Sequence, residues 1–301
     1  MNLSRKFIKV ITPVVAATAI GAVAFASSGI WSGENEVRSQ QQPESAEGAG
    51  RAPEQVVGDE DNPATWRLPV EEYIPLRAEV RTVANVRDEL IDDCMSKSGY
   101  EDWQPAPDLP DLSGTSLVDR RYGVHDPALT SQRGYHPPLA VQEAYDAALE
   151  IGAVDKSGSD PGALRACVEA TDAKAPDIQS APLVQQIDST SYADSMKDPA
   201  VLSAFTKWSS CMKGKGYSYK NPLEPMDDPR FGHPTTVTEA EITTAKADLE
   251  CREKFDVTRT WFDAEAQIQR QQIKENASDL KVIEEDNRSV VDKSVKIAAK
   301  N

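Results

Sequence analysis

The chain has 301 residues, with 33 Lys and Arg against 49 Asp and Glu and a formal charge of −16. Only 39% of residues are apolar and 6% aromatic, so the core is modest and polar segments take up much of the length. This balance excludes nucleic acid, whose binders need Lys and Arg to displace phosphate counterions, and disfavours electrostatic docking on anionic lipid.

Met1 to Lys9 carries Arg5, Lys6 and Lys9 and no acid, and the 22 residues from Val10 to Trp31 carry no charge. A basic start followed by such a run predicts an export signal or a transmembrane anchor over residues 1–31. Ala24-Phe25-Ala26 offers a peptidase a site after Ala26, which would release a secreted protein. Left uncut, residues 10–31 are long enough to span a bilayer, with Trp31 at the outer interface. Both readings place the remainder outside the cytoplasmic membrane. The anchored form is the leading one, with membrane contact through this helix alone.

Residues 32–65 are rich in Glu, Gln, Ser, Gly and Ala and are expected to be a disordered spacer, because they offer little to bury against chain entropy. From Leu76 the pattern changes. Leu76, Val80, Val83, Leu90, Ile91 and Cys94 recur at steps near three and four, which predicts an amphipathic helix. A Pro- and Gly-punctuated loop follows from Tyr100 to Pro138. Val141, Tyr145, Ala148 and Leu149 mark a second helix, and Pro161 with Leu164, Cys167, Val168 and Thr171 a third.

Leu183 to Tyr192 is a weaker helical candidate. Asp198-Pro199 reads as an N-cap with proline at N1, opening a helix whose inner face holds Val201, Phe205, Trp208 and Met212. A second Pro-rich loop runs from Tyr217 to about Val237. Thr238 with Glu241 then fits a capping box. No Gly or Pro occurs after Pro234, which predicts one long helix whose charged end projects or frays beyond Trp261. Convincing strands are absent, so the fold class is mainly α.

Two segments match closely: Cys94-Met95-Ser96-Lys97-Ser98-Gly99-Tyr100 and Cys211-Met212-Lys213-Gly214-Lys215-Gly216-Tyr217. Arg121-Tyr122-Gly123 answers Arg230-Phe231-Gly232, and each segment is followed by a later helix with a second cysteine, Cys167 or Cys251. The conserved order reads as an internal duplication, with a first helical repeat over 66–180, a second over 181–260 and a charged C-terminal helix over 261–301. Within each motif, Gly99 or Gly216 sits where a helix ends in the left-handed conformation. Met95 with Tyr100, and Met212 with Tyr217, then occupy the two positions that touch in a Schellman cap.

Four cysteines in an exported chain predict two disulfides. Three connectivities are open to four cysteines, and the duplication favours Cys94 with Cys167 and Cys211 with Cys251. No C-x-x-C exists, so redox catalysis and metal binding lack support. His125, His136 and His233 form no metal-binding spacing, and as loop residues they are expected at the surface. A nucleophile elbow, a P-loop and a dinucleotide fingerprint are all missing. The expectation is a chain without enzymatic activity, metal or cofactor. Trp103, Tyr122, Tyr135, Tyr219 and Phe231 lie among the loop prolines. They either pack down on the helices or, as a candidate binding loop formed by Trp103, Tyr122, Tyr219 and Phe231, line a groove for a small ligand, peptide or glycan.

The paired C-M-x-x-x-G-Y segments, each with its proline loop and partner cysteine, resemble a group of uncharacterised actinobacterial envelope proteins. Members are exported or membrane-anchored helical proteins, many encoded beside a peptidoglycan-binding, efflux-adaptor-like protein and an ABC transporter. The similarity covers roughly residues 66–265 and brings no catalytic residues with it. It implies an accessory role beside an envelope adaptor or ABC transporter in transport or cell-wall machinery.

Overall fold

A computed structural model describes residues 53–152, 156–233 and 235–300. The segment expected to be a signal or anchor lies outside the described residues, as does most of the spacer. Among the described residues no helix is long and apolar enough to cross a membrane.

Aspartate followed by proline starts helices throughout this chain. The carboxylate accepts the first free amides, and the ring presets φ where no amide is needed. Asp126 does this for α2 (Pro127–Arg133), Asp160 for α4 (Pro161–Asp172) and Asp198 for α6 (Pro199–Gly214). The other helices are α1 (Arg77–Lys97), α3 (Leu139–Gly152), α5 (Pro182–Ser195), α7 (Glu239–Lys254), α8 (Val257–Glu275) and α9 (Ala277–Ala298). The described residues are thus mainly helical, and the sole extended pairing among them is an isolated bridge between Val56 and Arg67.

The C-terminal third differs from the single projecting helix that was expected. Asp256, with φ of +50°, separates α7 from α8, and a second break falls at Asn276 between α8 and α9. The short polar side chain of Asp tolerates the left-handed region better than most. The turn lets both flanking helices reach the core, α7 with Cys251 and α8 with Trp261 and Phe262. Far from projecting, α8 packs against α5, α6 and α7, while α9 lies along α1.

Trp261 is the hub of the core. Its ring lies 5.2 Å from Tyr192, 5.3 Å from Tyr122 and 5.0 Å from Phe205, and its indole N–H donates to Ser195 Oγ at 2.8 Å. Val201, Phe205, Trp208 and Met212 supply the buried face of α6, as their spacing predicts. On α1 the inner face is Val83, Val86, Ile91 and Met95. Leu76 and Val80 are exposed instead, at 65% and 39%.

The end of the expected spacer is ordered. Trp66 is buried against Phe262 at 5.0 Å and its indole N–H donates to the Asp59 carbonyl at 2.7 Å, so the turn of residues 59–65 is fastened from within. A short 3-10 segment, Pro69–Tyr73, follows, and the Val70 amide donates to Gln269 Oε1 of α8 at 3.0 Å.

The two repeat-like segments do not form separate bodies, for the described residues belong to one compact unit. Val118 and Tyr122 of the first segment share a core with α5, α6 and α8, while Ile91, Met95, Trp103 and Cys167 make a smaller satellite cluster.

Candidate functional site

The cysteine motifs are helix stops joined to cross-links. Tyr100 N–H donates to the Met95 carbonyl at 3.0 Å and Gly99 N–H to that of Ser96 at 3.1 Å. Tyr217 repeats the first bond with Met212 at 3.0 Å and Gly216 the second with Lys213 at 3.1 Å. This is the Schellman pattern. Gly99 and Gly216 have φ of +92° and +93°. A Cβ at either would meet no atom within 4 Å, so backbone conformation alone demands glycine there. Cys94 is bonded to Cys167, tying α1 to α4, and Cys211 to Cys251, tying α6 to α7, with Cα separations of 5.6 and 5.8 Å.

The remaining parallel between the segments fails in space. Arg121, Tyr122 and Gly123 turn into the core, whereas Arg230 stays exposed on Asp228 and Gly232 has an ordinary φ of −78°.

Three of the four candidate loop aromatics pack into the interior. Trp103, Tyr122 and Phe231 are buried: Trp103 joins the Cys94–Cys167 cluster, Tyr122 packs on Trp261, and Phe231 stacks on Tyr135 at 6.0 Å. Tyr219 is half-buried, and its hydroxyl donates to Asp228 at 2.7 Å. Partial burial, with the Asp228 charge beside it, pushes that phenol up to about 12. In a chain this short of aromatic residues, the core claims its large rings first.

Spacing in the sequence gives no hint of the polar network underneath. Arg121 Nη2 lies 2.6 Å from Glu265 Oε1 and 2.9 Å from Asp188, and Tyr122 Oη donates to Glu265 Oε2 at 2.8 Å. Ser191 and Gln269 complete the contacts of Glu265, whose side chain is fully buried. A second knot centres on Arg252, whose Nε donates to Asp248 at 2.7 Å while its other nitrogens donate to the carbonyls of Tyr122 and Pro222. Trp208 Nε1 also donates to Asp248, at 2.8 Å. A Cβ on Gly123 would overlap the Arg252 guanidinium, so this glycine is required for close approach as well as for its φ of +110°.

Two of the histidines are drawn inward. His136 is buried, with Nδ1 2.8 Å from Glu241 Oε1 and Nε2 2.8 Å from the His233 carbonyl. Glu241 therefore completes only half of the expected capping box. Thr238 Oγ1 accepts the Glu241 amide at 3.1 Å, but the Glu241 carboxylate turns to His136 and to the Tyr135 amide. His125 Nε2 lies 2.7 Å from Asp119 Oδ1. Burial alone would raise the Asp119 pKa. Hydrogen bonds from His125 and from the amide and hydroxyl of Thr115 outweigh that and hold it at about 2.

His125 lies at the margin of two clefts, and Asp119 lines the second of them. One, about 840 Å³, is floored by Trp66 and Leu249 and rimmed by Glu60, Asp61, Glu253 and Asp256. The other, about 620 Å³, lies between the loop of residues 110–126 and the segment 129–141, and its walls are mostly carbon. Val124 and His125 face both. Among the described residues no cluster of His, Cys, Asp and Glu has the arrangement of a metal site. No family model, curated protein or solved structure matches the chain.

Proposed function

We propose that this chain is a non-enzymatic accessory protein working outside the cytoplasmic membrane, within an envelope transport or cell-wall system. The observation that carries the reading is the pair of cross-links between helices, chemistry that persists in an oxidising compartment and is rare in the cytosol. The interior supports a structural role as well, since its buried Arg, Asp and Glu side chains are bonded mainly to one another and to backbone. Anchorage through residues 10–31 follows from the uncharged run, and the partner class, an envelope adaptor or ABC transporter, rests on the motif resemblance.

Mild crosslinking in native membranes, followed by purification and mass spectrometry, tests the reading. Recovery with an envelope transporter or its adaptor supports it; recovery of the protein alone from culture fluid, cleaved after Ala26, overturns the anchored form. Lysis of purified peptidoglycan in a zymogram overturns the non-enzymatic assignment.

A further inference from the structure

The smaller cleft, about 620 Å³, falls within the range of sites that enclose a small organic molecule. Leu112, Val124, Leu129, Pro138 and Val141 give it apolar walls. Most charges around it are already matched. Arg77 Nη2 lies 2.6 Å from Asp111, His125 is bonded to Asp119, and Asp126 Oδ1 accepts the amides of Ala128 and Leu129.

Arg120 is the exception. Its guanidinium donates to the carbonyls of His136, at 3.3 Å, and Tyr135, and among the described residues it has no carboxylate within ion-pairing distance. Carbonyls orient a cation without neutralising it. Burial accordingly works to lower the Arg120 pKa, with the charge of Asp119 opposing. With 49 acids in the chain against 33 bases, a guanidinium that lines an apolar chamber and has only carbonyls for partners marks a place for an anion.

We infer that this chamber binds a small organic carboxylate, its apolar body against Leu112, Leu129 and Val141 and its anionic head on Arg120. A medium-chain fatty acid and the C-terminal carboxylate of a short apolar peptide share that chemistry. The assignment stands apart from the partner reading above, and its test does not depend on it.

Calorimetric titration of the disulfide-intact protein with octanoate and with N-acetyl-leucyl-leucine, each paired with its neutral amide, tests it. Saturable binding of either acid, at least tenfold tighter than its amide, is expected, and the acid that binds identifies the source. Leu129→Trp fills the chamber without altering any charge and should abolish binding, while Arg120→Gln should weaken it at least tenfold. Should Arg120→Gln fail to fold, as circular dichroism would reveal, the amide comparison and Leu129→Trp still decide. No binding of either acid at millimolar concentration, equal binding of acid and amide, or undiminished binding by Leu129→Trp would each overturn the assignment.

Discussion

Arg121 and Glu265 meet across the core, 144 positions apart in the chain, with Nη2 of one 2.6 Å from Oε1 of the other. Removing one member strands the other, and an unpaired charge in a core costs far more than a pair contributes. Glu265→Ala should therefore lower unfolding free energy by about 3 kcal/mol, with Asp188 limiting the damage by retaining its own contact with Arg121. Glu265→Gln keeps an acceptor for Arg121 and should cost about half as much. Urea denaturation followed by tryptophan fluorescence checks both values, and equal losses for the two variants would show that the charge is immaterial.

The cross-links close loops with sequence separations of 73 and 40 residues. In the chain-entropy account each stabilises by about 4 kcal/mol. Replacing Cys211 and Cys251 together by Ala should shift the urea midpoint accordingly, and reductant should then shift it further through the remaining bond. All four sulfurs should resist alkylation in protein taken from its native compartment.

Gly99→Ala and Gly216→Ala isolate backbone strain, because nothing crowds the added carbon. Each should destabilise by about 1 kcal/mol, and Asn at the same positions by less. Gly123→Ala adds collision with Arg252 to the same strain and should cost distinctly more, measured in the same denaturation series.

Asp119 gives the protein an acid limb. Its pKa when folded, about 2, lies below the ordinary 3.8, so the folded state binds its proton less readily than the unfolded chain does. The resulting stability is complete above about pH 4 and disappears as pH falls toward 2, amounting to about 2 kcal/mol at most. Asp119→Asn should flatten stability across that interval while lowering it at neutral pH. A wild-type curve already flat between pH 4 and 2 would remove His125 and Thr115 as the cause.

Local chemistry was readable wherever one residue type has one strong use. Asp198-Pro199 announces a helix, and Gly99 and Gly216 announce its end, because caps depend on neighbours in sequence. Burial of charge was not readable. Glu241, Asp248, Arg252 and Glu265 are fully or almost fully buried, yet in a chain with this many charged residues their identities match those of solvated ones. Asp256 escaped notice for a similar reason, since a single left-handed Asp leaves no Gly or Pro as a marker. His125 and His136 misled, while His233 is exposed as expected, because a loop position says nothing about whether a carboxylate such as Glu241 waits beneath it. The resemblance between the two cysteine segments held for caps and cross-links, whose partners are local or fixed by sulfur. It failed for Arg121 and Arg230, whose surroundings are set by other helices.

Trp66 against Phe262, with the Val70 amide on Gln269, fastens the N-terminal end of the described residues to α8. A pull applied at the N-terminal end of the described residues runs through those contacts into the middle of α8 rather than peeling away an outer helix. Mechanical load thus enters at the buried aromatic cluster that holds Trp261 and Phe262.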